Sequence, residues 1–130
     1  SLLDNDPSLT STHSGNPLCC AAALATLEAL ESEHLVERAE RLGHYIDARL
    51  RCQPYPYAGI GMAWAVNLGN PEAADWVVET AAEWGVLLLR TKRGTVKLGP
   101  PLTIPERDLA KGLEIITRAL IACRCEERIA

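Results

Sequence analysis

Three stretches of the 130-residue chain bring together residue types that could do chemistry. In the first, Thr10, Ser11, Thr12, His13 and Ser14 stand directly ahead of Gly15-Asn16-Pro17. Asn is a preferred N-cap and Pro fits the first helical position, so Asn16-Pro17 predicts a helix start. Unpaired amides at such a start attract phosphate or carboxylate, and Ser11, Thr12 and Ser14 would add hydroxyl donors. Hydroxyl clusters also serve as plain caps. The residues themselves leave both an anion seat and a well-capped helix open.

The second stretch is TVKLG at 95–99, where Lys97 sits inside an alternating apolar run. A strand of this kind points its lysine either into a cavity or simply to solvent. Lys92 and Lys111 are the remaining lysines and lack that setting. The third stretch is Gly59-Ile60-Gly61. A dinucleotide fingerprint needs a strand before the glycines and a helix after them. A loop is expected before this pair and a strand after it, so a tight bend with close backbone approach fits better.

Other chemistries find little support. The five cysteines are Cys19, Cys20, Cys52, Cys123 and Cys125, a spacing without the paired C-x-x-C of a zinc site. His13, His34 and His44 add no ligand spacing, and no Ser/His/Asp set is legible. The thiols read as reduced and mostly buried, which suits a cytoplasmic protein. A net charge of −4 gives no basic field for nucleic acid or an anionic membrane surface. No apolar run approaches the roughly 20 residues of a membrane span. The chain opens on Ser1 rather than Met, so a fragment or processed form is expected.

These candidates need elements to hold them. After the polar lead-in, Cys20, Leu24, Leu27 and Leu30 recur at helical spacing, and Leu35, Ala39, Leu42, Ile46 and Leu50 make a second stripe. Glu37, Arg38, Glu40 and Arg41 read as that helix's solvated face. CQPYPYAGIG at 52–61 reads as a loop, and 62–68 as a strand. Asn70-Pro71 opens a third helix carrying Ala73, Trp76, Val77, Thr80, Ala81 and Trp84, which Gly85 ends. VLLL at 86–89 and TVKLG form a strand pair around a turn at Gly94. A last helix from about Glu106 buries Leu109, Leu113, Ile116 and Leu120. The expected fold class is α+β, or α/β in two layers, with helices packed on a small sheet. Hydrophobic residues at 48% suffice for a core without cross-links.

Three blocks, in this order, resemble the C-terminal part of the class III pyridoxal-phosphate-dependent aminotransferases. This is the family of ornithine, acetylornithine and 4-aminobutyrate aminotransferases. STHSGNPLCCAAALATLEALESEHLVERAERLGHYIDARL is similar to its T-x-[SG]-G-N-P helix and the helix after it. GIGMAWAVNL resembles its Gly-x-Gly-Leu-Met strand, and GVLLLRTKRGTVKLGPPLTIPERDL its closing strand pair, Pro-Pro and final helix.

The resemblance implies the small C-terminal domain of a fold-type-I enzyme, with residues 1–15 a lead-in from the large domain and 16–130 the small domain. It implies pyridoxal 5'-phosphate as cofactor and a homodimer. It also implies small-molecule amine and keto-acid or aldehyde substrates. Thr12, with Ser11 as helper, would bind the cofactor phosphate of the neighbouring subunit. Lys97 takes the place of an arginine that many members use to grip the substrate α-carboxylate. Lysine lacks that two-pronged grip, which puts an ordinary α-carboxylate in question. Ala58 likewise stands where the family often has arginine.

The family's Schiff-base lysine, its acidic partner and its glycine/serine phosphate loop precede the first block. The chain is therefore expected to hold no catalytic residue and to be inactive alone. Two alternatives remain: a non-catalytic dimerisation or scaffold domain, and a relative with decarboxylase, racemase or phospho-lyase chemistry.

Overall fold

The computed structural model describes residues 15–126. Packing divides the chain into two compact units, one reaching Val36 and one beginning at Glu37. In the first unit, α1 (Pro17–Ser32) starts where Asn16-Pro17 predicts. The Asn16 Oδ1 accepts the Leu18 amide at 2.9 Å, and Pro17, which has no N–H, needs no partner. The run of Cys20, Leu24, Leu27 and Leu30 at helical spacing forms no buried stripe, for α1 contains no buried residue. Leu18, Cys19 and the alanines place apolar groups around the other sides too, so periodicity marks no unique inward face.

From Glu37 onward the fold is a sheet with helices on one side. The helix α2 (Leu35–Leu50) contributes Leu42, Ile46 and Leu50 to the core. Strands β1 (Tyr57–Ile60) and β2 (Ala63–Asn67) form a hairpin. Next comes α3 (Pro71–Glu83), capped by Asn70, whose Oδ1 accepts the Glu72 amide at 2.8 Å. Gly85, with φ at +95°, turns the chain out of α3 at the stop expected there. Strands β3 (Leu89–Arg90) and β4 (Thr95–Leu98) flank a turn at Thr91–Gly94, and α4 (Glu106–Glu126) closes the fold.

The sheet is antiparallel throughout, in the order β1-β2-β4-β3. Val66, Val96 and Leu98 lie on its inner face. They share one buried cluster with Leu42, Ile46 and Leu50 of α2, Val77 of α3, and Leu109, Leu113, Ile116 and Leu120 of α4. This is the expected α+β class, with helices on a small sheet.

Two elements depart from expectation. The stretch read as a loop before Gly61 contains β1, so Gly59 and Ile60 belong to a strand. Pro54, Pro56 and the two glycines read as breakers, yet β1 is an edge strand, where such residues are tolerated. The close approach expected at the glycine pair is present. Gly61 turns the hairpin with φ at +54°, and a Cβ on Gly43 of α2 would stand 2.8 Å from the Gly61 Cα. The run at 86–89 yields only Leu89 to the sheet, since β3 is two residues long.

Candidate functional site

The outer face of the sheet follows from its register. Lys97 lies opposite Ala65 on one side and Leu89 on the other, and Ala65 lies opposite Ala58. Directly paired residues share a face, so these four make one row across the sheet. Ile60 and Ala63 continue the same face along the β1–β2 hairpin. Ile60 is 85% exposed and Leu89 73%; Leu87, just before β3, is 90% exposed. An apolar surface with one cation at its middle is the result.

A groove of about 810 Å³ takes in this row, lined by Ala65, Leu89, Lys97 and Pro101 and also by Leu98 and Leu109 of the buried cluster. Its size is that of a small-molecule site, and its lining is largely apolar. Among the described residues the groove carries one other charged side chain, Asp108, whose Oδ1 lies 3.3 Å from Arg107 Nε. Among the described residues the Lys97 side chain has no ion-pair or hydrogen-bond partner. Of the two readings left open for Lys97, the structure joins both. The side chain is exposed, and it lines a groove. An ammonium among apolar groups attracts a carboxylate more strongly than one in open water, because less solvent screens the pair.

Neighbouring charges fix the frame around the groove. Arg90, beside Leu89, reaches the inner side and pairs with Asp75 of α3, which anchors the short β3. Arg38 was expected on a solvated face. Its side chain is instead only 24% exposed, and it donates to the carbonyls of Leu102 and Ile104. Sequence offers no signal for a contact spanning more than sixty residues.

Ser11 and Thr12, the candidate phosphate ligands, lie outside the described residues. The helix start they precede can be judged by itself. Pro17 has no amide, Leu18's goes to Asn16 Oδ1, and Cys20's goes to the Asn16 carbonyl at 3.0 Å. Of the first-turn amides, Cys19's is the one left for an anion among the described residues. The α1 start is a capped terminus with one spare donor, and a phosphate there would depend on side chains ahead of it.

Among the described residues, no three or more His, Cys, Asp or Glu gather as a metal-ligand set. No helix among them is long and apolar enough to cross a membrane. None of the five cysteines is in a disulfide, and the expectation that they are mostly buried is corrected. Only Cys123 is buried; Cys19, Cys20, Cys52 and Cys125 are exposed.

Comparison with known proteins gives this geometry a family. The family model for aminotransferase class-III matches residues 4–120. An acetylornithine aminotransferase of Archaeoglobus fulgidus is 41% identical over 106 residues, covering 82% of this chain and 28% of that enzyme. An isoleucine 2-epimerase of Lentilactobacillus buchneri is 32% identical over 125 residues, covering 85% of this chain and 28% of its own length. Among solved structures, the ornithine aminotransferase of Toxoplasma gondii, which shows partial occupancy of PLP at its active site, superposes with a TM-score of 0.80. It is 31% identical, and the match covers 91% of this chain and 30% of that one. The chain thus spans less than a third of the length of these relatives.

Proposed function

The chain belongs to the class III aminotransferases, and we propose that residues 16–130 form the small C-terminal domain of an enzyme that moves an amino group between an amine or amino acid and a keto or aldehyde acceptor. Residues 1–15 would be the lead-in from its large domain. The observation that carries this reading is Lys97, a cation whose side chain has no partner among the described residues, at the centre of an apolar sheet face and on the wall of a groove.

Pyridoxal phosphate is the cofactor, as in the Toxoplasma relative. When bound, it supplies an electron sink for the bonds at the donor's amine-bearing carbon. Thr12, helped by Ser11, would hold its phosphate across a homodimer interface in this reading, and the α1 start would add no more than the Cys19 amide. The described residues make no phosphate cradle of their own, so no step is assigned to them. The reacting lysine belongs to the large domain, and the 130-residue chain by itself is expected to be inactive.

What this chain supplies is orientation and exclusion of water. Lys97 draws in a carboxylate as a point charge rather than through a planar fork. Ala58, Ala65 and Leu89 beside it offer no competing donor. The exposed thiols suit a reducing compartment, and we place the enzyme in the cytoplasm.

The decisive assay compares amine donors with and without an α-carboxylate, on the full gene product and its Lys97→Arg variant. Lys97→Arg is expected to raise kcat/KM for donors with the carboxylate and leave the others unchanged. Equal behaviour on every donor would remove Lys97 from the site. Absence of any transamination would leave the second reading, which the epimerase relative favours: inversion at an amino acid's α-carbon on the same cofactor. Loss of optical rotation from a single enantiomer would reveal it.

A further inference from the structure

The segment 99–105 follows Lys97's strand and supplies Gly99, Pro100, Pro101 and Ile104 to the groove. Three of its seven residues are proline, at 100, 101 and 105. Proline has no backbone N–H, so this rim gives up much of its capacity to pair with a neighbouring strand. Internally it has a turn bond from the Ile104 amide to the Pro101 carbonyl at 3.1 Å.

Arg38 holds the rim from outside. Its Nε donates to the Leu102 carbonyl at 2.9 Å, and its Nη2 donates to the Ile104 carbonyl. One rigid guanidinium fork thereby meets two carbonyls two residues apart, which a lysine's single nitrogen cannot reproduce. Glu106 Oε1 lies 3.9 Å from the Arg38 Nη1 and 2.8 Å from the Arg41 Nη1. The carboxylate helps balance Arg38 without occupying the two nitrogens that grip the rim.

We propose that Arg38 is a positioning residue that sets the proline rim and, through it, the width of the groove beside Lys97. The proposal rests on the reading of that groove as substrate-facing. Without the guanidinium, two half-buried carbonyls lose their donor and the rim loses its hold on α2. Displacement of a groove wall by about 1 Å is enough to disturb how a substrate is held.

The test uses the full gene product with Arg38→Ala, Arg38→Lys and Arg41→Ala. Arg38→Ala is expected to raise the amino donor's KM about ten-fold while kcat stays within about two-fold, with Arg38→Lys in between. Arg41→Ala, which spares both carbonyl bonds, should leave KM unchanged. A fall in kcat at unchanged KM would mean that less enzyme folds, and would overturn the positioning role. Amide exchange at Ile104 in the same proteins separates the layers. Faster exchange in Arg38→Ala supports the tether, and unchanged exchange overturns it. Faster exchange with an unmoved KM overturns the positioning role, and an inactive wild type overturns the substrate-facing reading while the exchange result still judges the tether.

Discussion

The two faces of the sheet are built from the same strands and differ in nearly everything else. On the inner face, Val66, Val96 and Leu98 are buried among side chains from α2, α3 and α4. On the outer face, Ile60 and Leu89 stand open with Lys97 among them. Strand alternation produces both faces at once, so burial on one side places every second residue on the other. The difference teaches that the inner face stabilises this chain, whereas the outer face is kept apolar for some other purpose. Substrate and the rest of an aminotransferase are that purpose in the reading proposed above.

The comparison predicts unequal costs for equal chemistry. Leu113→Ala, in the inner cluster, should cost about 2–5 kcal/mol in denaturant unfolding. Leu89→Ala removes the same atoms from the outer face and should cost no more than about 0.5 kcal/mol. Equal losses for the two would break the distinction between the faces. Gly43→Ala sharpens it from behind the inner face. The added methyl meets the backbone of Gly61, which cannot swing aside as a side chain can, and about 1–3 kcal/mol should be lost.

The smallest effect lies outside both faces, at Arg41 and Glu106. The hydrogen bond from Arg41 holds the Glu106 carboxyl below its ordinary range, with the nearby positive charge adding to it. A lowered folded value means that the pair stabilises above the unfolded carboxylate value and loses its effect as pH falls through the folded one. Both groups are exposed, so solvent screens the pair strongly. Thermal melts of wild type and Arg41→Ala should differ slightly at neutral pH and converge in acid. A gap that widened in acid would contradict this assignment.

Features set by neighbours in sequence were legible. Asn16-Pro17 and Asn70-Pro71 both start helices, and Gly85 ends one, because caps act within a turn. The alternation around Val66 and Val96 marked strands for the same reason. Features that depend on distant partners were not legible. Arg38 looked like its charged neighbours until the fold brought Leu102 and Ile104 against it. The Leu24–Leu27 stripe announced an apolar face but not what it meets. For the candidate site, Lys97 could be singled out from its strand, while the apolar row around it needed the register of four strands.

The lack of buried side chains on α1 has a consequence for how the molecule melts. Sixteen residues with a good cap and many alanines are only slightly longer than the roughly 12–15 that a lone helix needs in water. None of its side chains is buried and none belongs to the buried cluster of the unit beginning at Glu37, so α1 opens at low cost. Calorimetry of the chain should therefore record one sharp heat-absorption peak from the unit beginning at Glu37, on a sloping baseline contributed by gradual fraying of α1. Helicity followed by circular dichroism would start to fall before that peak begins.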